Sequence, residues 1–121
     1  LARISLAIEV ATLGLDPTPS MIFDEVDSGI GGAVAEVVGQ KLRTLGAQCQ
    51  VLCVTHLAQV ASLGHQHYQV VKRIQGEQTE SQVSILDGNA RIEEIARMMG
   101  GVALSKQSRA HAEQMLKSAQ M

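Results

Sequence analysis

Apolar and polar positions change period several times along the chain, and each change predicts an element. From Leu1 to Leu13 the apolar residues recur at helical spacing, with Leu1, Ile4, Ile8 and Ala11 on one face and Gly14 as the stop. Asp16-Pro17-Thr18-Pro19 reads as a loop, because two prolines in three residues deny a helix its donors and its backbone angles. Ser20 to Phe23 reads as a short apolar strand of the buried type found in parallel sheets. After a glycine-rich turn, Ser28-Gly29-Ile30-Gly31-Gly32, helical spacing returns over Ala33 to Leu45. Val34, Val37, Val38, Leu42 and Leu45 fall on one stripe there, and Gly46 closes it. Gln50 to Val54 is a second buried strand, and Leu57 to Leu63 a short helix ending at Gly64. Helix, strand, helix, strand, helix is the order of an α/β fold, a parallel sheet flanked by helices.

The pattern then changes. His67 to Ile74 and Glu80 to Leu86 predict two strands of a β-hairpin, joined by the polar turn Gln75-Gly76-Glu77-Gln78-Thr79, whose length leaves the register open. Two helices follow. Ala90 to Met99 turns Ile92, Ile95, Ala96 and Met99 inward and stops at Gly100-Gly101; Ser105 caps the second, which runs to about Ala119 on an apolar stripe of Ala112, Met115, Leu116 and Ala119. No internal repeat or linker divides the chain.

Composition narrows this picture. The 121 residues are 45% hydrophobic but only 2% aromatic, so the core has to be aliphatic. That length suits one small domain or a piece of a larger one, and the helical pattern already under way at Leu1 reads as a segment cut from a longer protein. The formal net charge of −2 offers no basic excess for nucleic acid. No apolar run reaches the ~18 residues of a membrane span. Cys49 and Cys53, four residues apart on one predicted strand, would be ~13 Å apart, too far for a disulfide; they read as small buried residues of a reducing compartment.

The candidate chemistry sits at the two strand ends. Met21-Ile22-Phe23 runs straight into three carboxylates, Asp24, Glu25 and Asp27. An acid at the end of a buried strand can hold Mg²⁺ through its water shell, since that ion prefers oxygen ligands and keeps several waters. Asp24 fits this role, and Glu25, pointing to the other side of the strand, would polarise an attacking water. Thr55-His56 ends the second strand about 30 residues later. Crossover-linked parallel strands end on the same sheet edge, where ligands bind in open α/β sheets. His56 therefore could donate to a phosphate oxygen or to the lytic water, or be a strand-end histidine satisfied by backbone. The Ser28–Gly32 turn lacks the Lys-Ser/Thr of a phosphate loop and follows the acids, so a connector that lets another chain approach closely is the stronger reading. Asp27 would cap this turn or contact a second subunit. His65 and His67 share a strand face without a third metal ligand, and Arg91, Glu93, Glu94 and Arg97 read as a solvated helix face.

Three stretches together resemble a known family: Leu1-Ala2-Arg3-Ile4-Ser5-Leu6-Ala7-Ile8, Ile22-Phe23-Asp24-Glu25-Val26-Asp27-Ser28-Gly29-Ile30-Gly31-Gly32, and Val54-Thr55-His56-Leu57-Ala58-Gln59-Val60-Ala61. They resemble the C-terminal half of the ATPase head of the RecN family, bacterial double-strand-break repair proteins related to SMC proteins and, more distantly, to ABC ATPases. Gly64-His65-Gln66-His67 and Ala96-Arg97-Met98-Met99-Gly100-Gly101 are similar to it too. The resemblance implies an ABC-type P-loop NTPase head in which Ile22 to Glu25 form Walker B, with Asp24 on Mg²⁺ and Glu25 as the catalytic carboxylate. It implies that Asp27, Ser28, Gly29, Ile30 and Gly31 form the D-loop at a dimer interface with a second head, in a form unlike the Ser-Ala-Leu-Asp of transporters. His56 would be the switch histidine near the γ-phosphate. Walker A, the signature motif and the coiled coil would lie upstream of Leu1, so the segment alone would neither bind ATP tightly nor hydrolyse it, and its uncovered core would favour self-association. ATP, Mg²⁺, a second copy and DNA are the implied partners, and a cytoplasmic, nucleoid-associated location without a membrane is the implied setting. The Asp-Glu-Val-Asp string also resembles the motif II box of DEAD-like helicases, but those carry Ser-Ala-Thr where this chain has Thr55-His56-Leu57.

Overall fold

The computed structural model describes residues 2–11, 20–100 and 105–120. The expected stop at Gly14, the loop from Asp16 to Pro19 and Gly101 lie outside the described residues. The elements run α1 (Ala2–Ala11), β1 (Ser20–Asp24), α2 (Gly32–Gly46), β2 (Gln50–Val54), α3 (Ala58–Ala61), β3 (His67–Gln75), β4 (Gln78–Leu86), α4 (Gly88–Met98) and α5 (Lys106–Ala119). The described residues are thus mixed α/β, with one parallel and one antiparallel strand pair among them.

β1 and β2 pair in parallel from Ser20↔Gln50 to Asp24↔Val54, as the helical crossover demands. Alternation then divides their residues between two faces. Phe23 is buried, and Met21, Val51 and Cys53 pack beside it against Val38, Leu42 and Leu45 of α2 and Leu6 of α1. Ile22, Leu52 and Val54 stand on the opposite face, Ile22 being 74% exposed. The expectation of wholly buried strands is therefore corrected: among the described residues, helices cover one face only. The helix stripes are corrected as well. α1 buries Leu6 with Val10 behind it, while Ile4 and Ile8 are exposed; α2 buries Ala35, Val38, Leu42 and Leu45, while Val34 and Val37 are exposed. Both helices carry apolar residues on more than one side, and the position of the sheet selects which side is used.

α3 is a short helix shared by two cores. Val60, with Leu57 beside it, joins the cluster around β1, α1 and α2. Ala58 joins a second cluster with Ile95, Ala96 and Ala112, against which Ala61, Ile92, Met99, Met115 and Leu116 pack. α3 can lie close to α2 because of Gly39, where a Cβ would sit 2.5 Å from a Leu63 methyl and 3.2 Å from the Gln59 carbonyl oxygen. A glycine inside a helix costs ~1 kcal/mol relative to alanine, which this close approach offsets. The carbonyls at the end of α3 are held by two guanidiniums. Arg43 donates to the Leu63 oxygen at 2.8 Å, and Arg91 to those of Ala61 and Gly64 at 3.1 and 2.6 Å. Cations at a helix C-terminus also meet its negative dipole end.

β3 and β4 form a hairpin in which Gln75 pairs with Gln78, so the turn is the two residues Gly76-Glu77 and not the five of the sequence reading. Gly76 has φ +62°, the positive φ that tight two-residue hairpin turns favour. Tyr68 and Ile85, and Val70 and Val83, form exposed cross-strand pairs on one face of it. Ser105 accepts from the Ser108 N–H at 3.0 Å and so caps α5 as expected.

The charged face predicted for α4 is corrected at two positions. Glu94 is buried; it accepts from Arg97 Nε and Nη2 and from the Gln69 amide at 2.8 Å. Arg91 is half-buried over α3. The helix needs both residues as ties to its neighbours, so only Glu93 and Arg97 keep to the solvated face.

Candidate functional site

The parallel register places Asp24 beside Val54. The residues that follow each strand, Glu25 to Asp27 and Thr55 to His56, therefore leave the sheet at one edge. β1 ends at Asp24, and the chain turns at once. Glu25 has φ +64°, a positive φ shared with no other non-glycine among the described residues, and its carbonyl accepts the Ser28 N–H at 3.1 Å to close a turn. Glu25 is consequently not on the strand, and its direction is set by the turn and not by the pleat. A non-glycine residue held in this region stores roughly 1 kcal/mol and recurs where a side chain must be aimed. Val26 is fully buried and plugs the core beneath the turn, which fixes the turn in place.

Asp27 then points back under the turn, and its side chain is almost fully buried. One carboxylate oxygen, Oδ2, accepts two hydrogen bonds from the end of β2 and lies close to the His56 ring. The Thr55 hydroxyl donates to it, the His56 backbone N–H donates at 3.0 Å, and His56 Nδ1 lies 3.2 Å away. The Thr55 oxygen in turn accepts the Leu57 N–H at 3.0 Å. Burial alone would raise the Asp27 pKa, but the hydrogen bonds from Thr55 and His56 outweigh it and hold the carboxyl below the usual aspartate range. The His56 ring remains largely exposed.

Of the residues expected to carry chemistry, Asp24, Glu25 and His56 thus sit at one edge with their side chains exposed to solvent. Ser28, Gly29 and Gly31 are exposed beyond them and Ile30 is half-buried. Asp27 faces the other way, and its carboxylate is engaged within the chain. Sequence reasoning missed this tie and the part of Thr55 in it. The available signal was an acid after a buried valine in one turn, facing a Thr-His pair at the matching end of the next strand.

The Asp24 and Glu25 carboxylates have no hydrogen bond or ion pair among the described residues, and no group of three or more His, Cys, Asp or Glu residues there could hold a metal ion. An oxygen donor with free valences fits Mg²⁺ held through water, an ion that takes one or two carboxylates and completes its shell with water and phosphate. It does not fit a closed protein cage of the zinc type. The local field is negative: burial, then Asp27 and Asp24, push the Cys53 thiol up to about 11. No helix among the described residues is long and apolar enough to cross a membrane.

Comparison with known proteins is consistent along the whole chain. A DNA repair protein RecN of Xylella fastidiosa is 60% identical over 120 residues, covering 99% of this chain. The chain matches a fragment of RecN. The RecN proteins of Vibrio cholerae and Streptomyces coelicolor are 50% and 44% identical, over 96% and 98% of the chain. The chain spans only 21–22% of the length of these three relatives. No family model matches it.

Proposed function

We propose that this chain forms the Walker B, D-loop and switch-histidine part of an ATP-hydrolysing head in a RecN-like protein of DNA double-strand-break repair. The observation that carries the reading is the register Asp24↔Val54, which brings the acids after β1 and the histidine after β2 to one edge. Similarity over nearly the full chain to proteins named for DNA repair supports the biological setting.

In this reading Asp24 orients the water shell of Mg²⁺, which supplies positive charge to the nucleotide phosphates when bound. Glu25, aimed by its left-handed turn, accepts a hydrogen bond from the attacking water and takes its proton. His56 contacts the same water or the terminal phosphate. The exposed Ser28-Gly29 and Gly31 of the D-loop meet a second copy of the head, whose ATP-dependent closure gates DNA binding. The phosphate-cradling loop and signature motif belong to other parts of the longer protein, so the 121-residue chain alone is inactive; stoichiometric ATP hydrolysis by it would overturn that statement.

The test of the whole reading is Glu25→Gln in the longer protein that carries this segment. ATP binding should persist while hydrolysis falls by the ~10²–10⁴ typical of a lost general base. An unchanged rate would place the base elsewhere and favour an ATP-switched tethering module in which hydrolysis at this edge is incidental.

A further inference from the structure

We propose that Asp27 is a positioning residue for His56: it holds the imidazole as the Nδ1–H tautomer and thereby leaves Nε2 as a hydrogen-bond acceptor. The geometry leads there directly. Nδ1 lies 3.2 Å from Asp27 Oδ2, and the N–H of the same residue reaches that oxygen at 3.0 Å. An ionised carboxylate only accepts hydrogen bonds, so a lone pair on Nδ1 would face a negative oxygen and be repelled; a proton there is attracted. The backbone N–H bond holds the same oxygen beside the ring, so a proton on Nδ1 has a fixed acceptor to turn toward. Thr55 locks the carboxylate from the strand side, donating to Asp27 while accepting from Leu57. The Thr55 hydroxyl and the His56 N–H thus fasten the end of β2 to Asp27, and the nearly complete burial of its side chain keeps water from competing.

This has a chemical consequence that depends on the ATPase-head reading, whereas the tautomer itself does not. A neutral imidazole has one donor and one acceptor. With its proton committed to Asp27, neutral His56 cannot donate to a phosphate oxygen, the role that sequence reasoning offers first. It accepts instead, and the partner that suits an acceptor beside Glu25 is a water molecule. Glu25 and His56 would then hold the two hydrogens of one water, fixing its oxygen lone pair toward the phosphorus. Donation from Nε2 becomes available only when the ring carries both protons.

Nitrogen-15 correlation spectra of the imidazoles decide the matter in the 121-residue chain. They are recorded at about pH 8.5, well above the ordinary histidine pKa of ~6.5. The His56 signal is identified by its loss in His56→Gln, a change at an exposed side chain. Nδ1–H is expected for His56 in the parent chain, with reversion to Nε2–H in Asp27→Ala. Nε2–H in the parent chain, or Nδ1–H that survives Asp27→Ala, would overturn the proposal. Should Asp27→Ala not fold, the parent tautomer alone decides. In the longer protein, loss of an outer partner that orients a histidine typically costs roughly 10–100-fold in activity. Asp27→Ala should show such a loss, and none further in a His56→Gln background; additive losses would overturn the coupling. An active Glu25→Gln enzyme beside an Nδ1–H His56 would sink the role of Glu25 as the base and leave the positioning role intact.

Discussion

Asp27 and Glu94 are both buried carboxylates, yet their surroundings oppose each other. Glu94 is met by the Arg97 guanidinium three residues along its own helix, and its remaining capacity goes to Gln69 on β3. Its charge is cancelled locally, and the result is a tie between α4 and the hairpin. Among the described residues, Asp27 meets no guanidinium or ammonium. Its donors are a hydroxyl and a backbone N–H, with an imidazole beside them, all from residues 28 or 29 positions away. The negative charge therefore stays at the sheet edge, where the nearby Cys53 thiol registers it. A carboxylate neutralised within its own element fastens the fold. One that keeps its charge and is held by distant neutral donors leaves a negative field at the sheet edge.

The largest expected effects test whether these are regions of one cooperative unit. Leu45 and Ile95 are nearly or wholly buried, one in the core beneath the strand edge and the other in the core of α4 and α5. Leu45→Ala and Ile95→Ala should each destabilise by about 2–5 kcal/mol. Because α3 contributes to both clusters, each substitution should move a single urea transition. Two separate transitions, only one of them shifted by each change, would mean that α3 does not couple the regions.

Cysteine reactivity compares the two fields next. A rise in thiol pKa from 9.0 to about 11 lowers the thiolate fraction near neutral pH about 100-fold. Alkylation of Cys53 in a chain carrying Cys49→Ser should therefore be about 100-fold slower folded than in denaturant. Asp27→Asn should recover part of that rate and Glu94→Gln none of it. Equal acceleration by both would show that the Asp27 charge is not special to the site.

Asp27→Ala should cost about 1–3 kcal/mol, since it strands the donors of Thr55 and His56. Its pH dependence follows from direction. The folded carboxyl lies below the ordinary 3.8, so its stabilisation is complete above that value and is lost as pH falls through the lower, folded pKa. The parent chain should thus lose stability in acid more steeply than Asp27→Asn when melting temperatures are compared between about pH 5 and pH 2. Identical slopes would mean that the hydrogen bonds do not lower the folded pKa.

The legible part of this molecule is what local pattern controls. The elements, the crossover that forces β1 and β2 parallel, the Ser105 cap and the inward stripes of α4 and α5 all follow from spacing over a few residues. Which flank of α1 and α2 turns inward does not, because Ile4 and Ile8 are as apolar as Leu6 and Val10 and only the position of the sheet selects between them. The acids at the sheet edge were legible as a type of site. The inward turn of Asp27 was not, for its partners are nearly 30 residues distant and nothing within the Glu25–Ser28 turn specifies them. Glu94 is illegible for the same reason: its helix face reads as solvated because the Gln69 amide that reaches it lies 25 residues away.

The smallest effect concerns the hairpin, whose structure depends least on the rest of the chain. Gly76 has φ +62°, and an added Cβ would meet nothing within 4 Å. Gly76→Ala therefore clashes with no neighbour; its cost is the backbone conformation alone, about 1 kcal/mol. Asparagine tolerates the left-handed region better than alanine, so Gly76→Asn should recover most of that loss. Because β3 and β4 pair only with each other among the described residues, amide exchange should quicken along the hairpin and stay unchanged for the β1–β2 amides. Equal acceleration in both sheets would show that the tie from Glu94 to Gln69 binds the hairpin into the same cooperative unit as the site, and the contrast between a local and a long-range region would then be one of geometry and not of stability.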